Sequence, residues 1–147
     1  MSFPTLRVRA LIVNEGHVLL ARLQSRPVAF LPGGRVEPDE SIADALVREL
    51  REECGVAVER IEYLGAVENL WSEGGRRIHD LSHFFLAESD GLRPSFTPQC
   101  NDEGVELYWV SATQVRSEPV KPESVKQLLC KWLDGRREPW WAYEREA

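Results

Sequence analysis

Apolar residues in this chain fall into short runs whose period changes along its length. Leu6–Val13 and His17–Leu23 are two largely apolar runs joined by Asn14-Glu15-Gly16, residues that tolerate positive φ, and together they predict a β-hairpin. Val28–Leu31 is a third short run, stopped by Pro32-Gly33-Gly34, where two glycines free the backbone for a tight turn or the close approach of a ligand. From Ile42 to Cys54 the period lengthens to that of a helix, with Ser41 and Asp44 spaced as a capping pair and Gly55 as the stop. At ~100° per residue, Ile42, Ala43, Leu46, Val47, Leu50 and Cys54 form an apolar side, and Glu49, Glu52 and Glu53 occupy an arc of roughly 100° beside it. The strand period returns in Val56–Trp71 and Ile78–Glu88, set around Ser72-Glu73-Gly74-Gly75, with Ile78, Asp80, Ser82 and Phe84 on one face of the second strand and His79, Leu81, His83 and Phe85 on the other. A polar loop, Ser89–Glu103, leads to a last strand, Val105–Ser111, and to a second helix over Pro122–Asp134 that packs Val125, Leu128, Leu129, Trp132 and Leu133 on the sheet. Strands interleaved with two amphipathic helices predict an α/β fold.

Composition narrows the class. A chain of 147 residues that is 43% hydrophobic fits one domain. We place that domain at residues 1–135 and treat 136–147 as a tail. Trp140, Trp141 and Tyr143 give the tail enough apolar surface to predict docking on the domain or on a second subunit, a homodimer being the second arrangement. No apolar run approaches the ~20 residues of a membrane span, so neither a membrane nor an exported protein is expected. Eighteen basic against 24 acidic residues leave a net charge of −6, which disfavours broad nucleic-acid binding. Cys54, Cys100 and Cys130 are odd in number and widely spaced, so they read as reduced thiols in a cytoplasmic protein.

The charge is concentrated. Between Gly34 and Val56 lie seven acids and three bases. Such an island repels itself unless a multivalent cation relieves it. Glu49, Glu52 and Glu53, spaced i, i+3, i+4, bring three carboxylates within one helical turn, and magnesium takes one or two carboxylates together with water and substrate phosphate oxygens. The Gly33-Gly34 turn offers backbone carbonyls beside them, and Arg48 stands where it either reaches phosphate or pairs with Glu52 along the helix. A solvated helix face is the competing reading of the same run.

The spacing from Gly34 through Glu40 to Arg48-Glu49-Leu50-Arg51-Glu52-Glu53-Cys54-Gly55-Val56 resembles, at every specified position, the G-x5-E-x7-R-E-U-x-E-E-x-G-U box of the Nudix hydrolase superfamily, where U is aliphatic. The Leu31-Pro32-Gly33-Gly34 lead-in and the flanking strand order are also similar to that family. The resemblance implies an α/β/α sandwich around a mixed β-sheet and a hydrolase that cleaves the diphosphate linkage of a nucleoside diphosphate derivative. It implies metal binding by Glu49, Glu52, Glu53 and the Gly33 carbonyl, an arginine at Arg48 that orients a glutamate, and a largely structural role for Glu40. The implied cofactor is magnesium, with manganese as a substitute, and the implied partner a small nucleotide. A module that senses nucleotides or binds a partner without turnover is the alternative.

The family's general base is sometimes a late-loop acid ahead of a tryptophan-bearing strand. Glu103, six residues before Trp109, holds the comparable place; Asp102 and Glu106 compete with it, as do the box residues Glu52 and Glu53. Trp71 is a candidate to stack a base, and Arg22, Arg26, Arg76 and Arg77 to contact phosphate; His79 and His83 are read mainly as structural. No proline occurs between Pro38 and Pro94, and no Ser-Gln-Pro-Trp-Pro-Phe-like motif follows the box, which argues against the ADP-ribose-cleaving and NADH-cleaving branches.

Overall fold

Strands that are apolar on both faces need a covering layer on each side of the sheet. The computed structural model supplies both layers; it describes residues 3–146, so the outermost positions of the 1–135 and 136–147 segments lie outside the described residues. In chain order the elements are β1 (Thr5–Leu11), β2 (Val13–Asn14), β3 (His17–Leu23), β4 (Ala29–Phe30), β5 (Gly33–Arg35), α1 (Ile42–Cys54), β6 (Arg60–Glu73), β7 (Arg76–Glu88), β8 (Val105–Ser111), a 3-10 turn at Ala112–Ser117, α2 (Glu123–Leu133) and β9 (Trp140–Arg145).

A mixed five-stranded sheet runs β5-β1-β7-β6-β9, parallel at β1–β7 and β6–β9. In a smaller antiparallel sheet, β3 pairs along its length with β8 and with short β2 and β4 on its other flank. Alternation along β3 sends Leu19 and Ala21 to a core with Ala45, Leu46 and Leu50 of α1, and Val18 and Leu20 to a second core with Val125 and Leu129 of α2. Phe85 and Phe84, neighbours on β7, divide between the same two cores. The layering is α/β/α, as the resemblance implied.

The predicted hairpin is corrected. Only Val13–Asn14 pairs with β3, whereas Thr5–Leu11 leaves for the large sheet and is flanked by β5 and β7. A hairpin would have given β1 one partner, and the parallel register with β7 gives it two. The strand drawn from Val56 starts at Arg60, because Val56 is buried in the α1 core with Leu92. The tail supplies an edge strand: β9 lies parallel to β6, burying Trp140 against Phe84 at a ring-centroid distance of 5.3 Å and leaving Trp141 exposed. No helix among the described residues is long and apolar enough to cross a membrane.

Candidate active site

Local backbone requirements bring the acidic residues together. Gly33 has φ +152°, and a side chain there would lie 1.9 Å from the Val8 carbonyl oxygen, so only glycine lets β5 lie this close to β1. In this position the Gly33 N–H donates to Glu53 Oε2 at 3.2 Å. A Cβ on Gly34 would stand 2.4 Å from the Glu49 carboxyl carbon, so the missing side chain makes room for that carboxylate. Ser41 Oγ caps α1 by accepting from the Asp44 N–H at 3.0 Å, which starts the helix where Glu49 and Glu53 turn inward. Beyond the helix, Asn101 Nδ2 donates to the Glu52 carbonyl at 2.6 Å and the Asn101 N–H to the Glu53 carbonyl at 3.2 Å. The late loop is thereby tied to the end of α1.

The three box glutamates occupy different surroundings. Glu53 is 2% exposed, Glu49 is half-buried, and Glu52 faces solvent. Arg48 holds two of them: its Nη1 reaches Glu49 and Glu52 at 3.1 and 3.2 Å, while its Nε and Nη2 bind both oxygens of Glu40 at 2.7 and 2.9 Å and Nη2 also donates to the Arg35 carbonyl. Both sequence readings of Arg48, rotamer holder and helix ion pair, describe the same side chain. Its fork holds the Glu40 carboxyl down at about 2, helped by the Glu37 N–H. Burial pushes Glu49 up, against the opposing pull of Arg48. Burial also pushes Glu53 up to about 7; Arg9 and the Gly33 N–H oppose this, while Asp102 and Glu49 add to it.

Ligand atoms of Glu53, Cys100 and Asp102 all lie within 4.8 Å of one another. Burial and the neighbouring Asp102 and Glu49 disfavour the ionised form of Glu53, and a hard divalent cation would relieve that crowding of negative charge. The carboxylates of Glu53 and Asp102 fit such an ion, whereas the Cys100 thiol, pushed up by burial, adds no hard donor, and Glu49 and Glu52 are not within this cluster. Asp102 is the loop acid turned to this cluster; the carboxylate of Glu103 is exposed and forms no hydrogen bond or ion pair among the described residues.

A cavity of about 630 Å³ opens along the large sheet, and Glu49, Glu52, Glu53 and Asp102 are not among its lining residues. Its floor is one face of the large sheet: Val67, Asn69 and Trp71 of β6, Asp80, Ser82 and Phe84 of β7, and Arg7 and Arg9 of β1. Arg26, Phe30, Lys121 and the β9 residue Glu144 line it as well. Arg9 links cavity and acids, donating to the Leu31 carbonyl at 3.2 Å and facing Glu53. Of the sequence candidates, Trp71 and Arg26 line this cavity, with Arg26 paired to Glu73 at 3.1 Å. Arg22 lies elsewhere, paired with Glu106 and stacked over Tyr108 at 4.3 Å, and Arg76 is exposed outside the lining. His79 and His83 point to the opposite face of β7, bonded to Glu68 and Tyr63. Sequence reasoning missed Arg7, Arg9, Asn69 and Asp80. The visible signal for the arginines was their i, i+2 spacing within an apolar strand, which places both on one face.

An α/β/α sandwich, a helix bearing a buried glutamate next to a loop aspartate, and a cleft lined by four basic and four acidic side chains together define the class of this protein. The model of the NUDIX domain matches residues 4–130, and the chain belongs to the Nudix family. It is 34% identical over 125 residues to a CTP pyrophosphohydrolase of Escherichia coli, covering 82% of this chain and 86% of that protein. It is 33% identical over 111 residues to the zebrafish 8-oxo-dGDP phosphatase NUDT18, covering 76% of this chain but only 31% of that longer protein. Among solved structures, the MutT protein from Bacillus halodurans superposes with a TM-score of 0.76 at 21% identity, covering 95% of this chain and 89% of that one, a likeness of fold.

Proposed function

We propose that this chain is a magnesium-dependent pyrophosphohydrolase that cleaves the diphosphate linkage of a nucleoside di- or triphosphate, or of a derivative of one, with manganese able to substitute. The observation that carries this reading is Glu53, a carboxylate buried against the Gly33 N–H with Asp102 within ligand distance; Gly33 lies on β5, and its register partner Arg9 lines a cavity of about 630 Å³. The activities named for the Escherichia coli and zebrafish relatives, on CTP and 8-oxo-dGDP, support a nucleoside phosphate as substrate.

In this reading Glu49, Glu52, Glu53, Asp102 and the Gly33 carbonyl hold the cation. A bound magnesium ion supplies neutralisation of diphosphate oxygens and a more acidic water. Arg48 keeps Glu49 and Glu52 in single rotamers, which limits the entropy lost on binding. Arg9 and Arg26 offset substrate charge on the sheet side, and Trp71 and Phe30 offer flat faces to a base. Glu103, the exposed chain neighbour of Asp102, would take the proton from the attacking water as the water oxygen bonds to phosphorus and the bridging P–O bond breaks. Asp102 is less suited to that role, because a carboxylate shared with a cation loses proton affinity.

Phosphorus NMR on CTP, UTP, GTP, 8-oxo-dGTP, 8-oxo-dGDP, NDP-sugars and ADP-ribose tests the proposal. Cleavage of at least one substrate with magnesium or manganese, abolished by EDTA, is expected. Binding without turnover across the panel would overturn it in favour of a sensing module.

A further inference from the structure

The floor of the cavity carries two hydrogen-bond acceptors with no donor. Asn69 and Asp80 stand directly opposite each other on β6 and β7, so their side chains share the face that lines the cleft. Asn69 Oδ1 and Asp80 Oδ1 are both buried and unpartnered, and Asp80 is 6% exposed. Unpaired buried acceptors are uncommon in folded proteins and mark places where a further group belongs. The second oxygen of Asp80 is occupied, accepting from Arg7 Nε at 2.9 Å. Asn69 can turn its amide to present oxygen or nitrogen. Asp80, held by Arg7, presents only an oxygen, so any partner in the cleft must be a donor.

Position along the sheet says which part of a nucleotide meets these oxygens. The cluster around Glu53 sits against β5, at one edge. β1 with Arg7 and Arg9 comes next, then β7 with Asp80, then β6 with Asn69. Gly33 pairs with Arg9 and Arg9 with Phe84, so Asp80 lies two strands across and four residues along from the Gly33 row, roughly 16 Å away at ~4.8 Å per strand and ~3.3 Å per residue, with Arg7 between and Asn69 one strand further. In a nucleotide the sugar lies between phosphate and base. A diphosphate at the acidic helix therefore sets the sugar over the arginines and the base edge over Asp80.

We propose that Asp80, seconded by Asn69, selects substrates whose base directs an exocyclic amino group at the cavity floor, as cytosine, adenine and guanine can, and rejects uracil and thymine, whose carbonyls would face an acceptor. This rests on the nucleotide-hydrolase reading above and adds to it a rule of base choice. A carbonyl opposite Asp80 leaves both oxygens unpaired, the situation in which polar pockets discriminate most strongly.

Isothermal titration of the full chain with nucleoside 5′-monophosphates, which need neither metal nor turnover, reads this directly. In at least one of the pairs CMP/UMP and AMP/IMP, the amino-bearing member should bind about tenfold or more tightly, as one charge-assisted hydrogen bond supplies. Asp80→Asn turns a fixed acceptor into a group able to donate and should bring that ratio within twofold or reverse it. Asn69→Val, which leaves the Arg7–Asp80 pair intact, should shrink the ratio in part and serves if Asp80→Asn does not fold. Equal binding within both pairs, a ratio unchanged in the variants, no binding by any monophosphate, or discrimination only between CMP and dCMP would each overturn the proposal. CTP and UTP hydrolysis, measured in parallel, separates the two ideas. Base discrimination in binding without hydrolysis of any panel member overturns the catalytic reading alone, and hydrolysis without base discrimination overturns this one alone.

Discussion

Glu53→Gln should make the metal-free protein more stable and the enzyme far less active, and the first effect has a calculable pH dependence. The carboxyl is 2% exposed and rises from an ordinary 4.5 to about 7, mainly through burial. A raised carboxyl binds its proton more tightly in the folded state, so its contribution is most favourable below pH 4.5 and is lost as pH climbs toward and through 7. Holding it ionised at pH 8 costs about 3 kcal/mol, at ~1.4 kcal/mol for each pH unit between the two values. At pH 5.5 the cost is about 1.4 kcal/mol, since the unfolded chain is then already largely ionised. Glutamine keeps the shape and can still accept from the Gly33 N–H, but it does not ionise. Urea titrations in EDTA should therefore find the variant more stable than wild type at pH 8, and the gap should widen by about 2 kcal/mol between pH 5.5 and 8. Saturating magnesium should stabilise wild type but not the variant, closing or reversing the gap. Hydrolysis should fall by about 10²-fold or more. A gap that does not change with pH would show that Glu53 ionises as freely folded as unfolded, and the argument from burial would fail.

Two further outcomes are expected. Glu103→Gln should lower kcat by about 10²-fold with the magnesium dependence nearly unchanged, whereas Asp102→Asn should raise the magnesium concentration needed for half-maximal rate; full kcat in Glu103→Gln would return the base to the helix glutamates. We propose that residues 136–147 are an integral part of the domain: Trp140→Ala should cost about 3–5 kcal/mol and deletion of the segment should lower Tm, and an unchanged Tm in both, with elution volume followed for any change of oligomeric state, would make it a loose appendage.

Elements set by neighbouring residues were legible in the chain. The Ser41 cap and the Gly55 stop bound α1 at Ile42–Cys54, and Val105–Ser111 forms β8 where the apolar run predicted it. Pairing was not legible, because it is decided by residues far apart. Arg7 meets Asp80 across 73 residues, and nothing within Leu6–Val13 distinguishes a hairpin partner from a parallel neighbour on β7. The tail divides along the same line. Adjacent residues on a strand point to opposite faces, so a strand at 140–145 could bury only one of Trp140 and Trp141, but which one depends on the register with β6.

For the site, helical spacing places Glu49, Glu52 and Glu53 on one arc of α1 but does not say that Glu53 is buried near Cys100 and Asp102 while Glu52 faces solvent. Glu53 is buried because β5 closes over it through Gly33 and the 100–102 loop is tied to α1 by Asn101, and neither contact leaves a mark in the helix's own sequence. The same tie turns Asp102 toward the cluster and leaves its neighbour Glu103 free in solvent. Distance from the box along the chain cannot rank two adjacent acids; only the backbone path of the loop does. That path matters to the proposal, which needs one carboxylate close enough to share a cation and another far enough from it to keep its affinity for a proton.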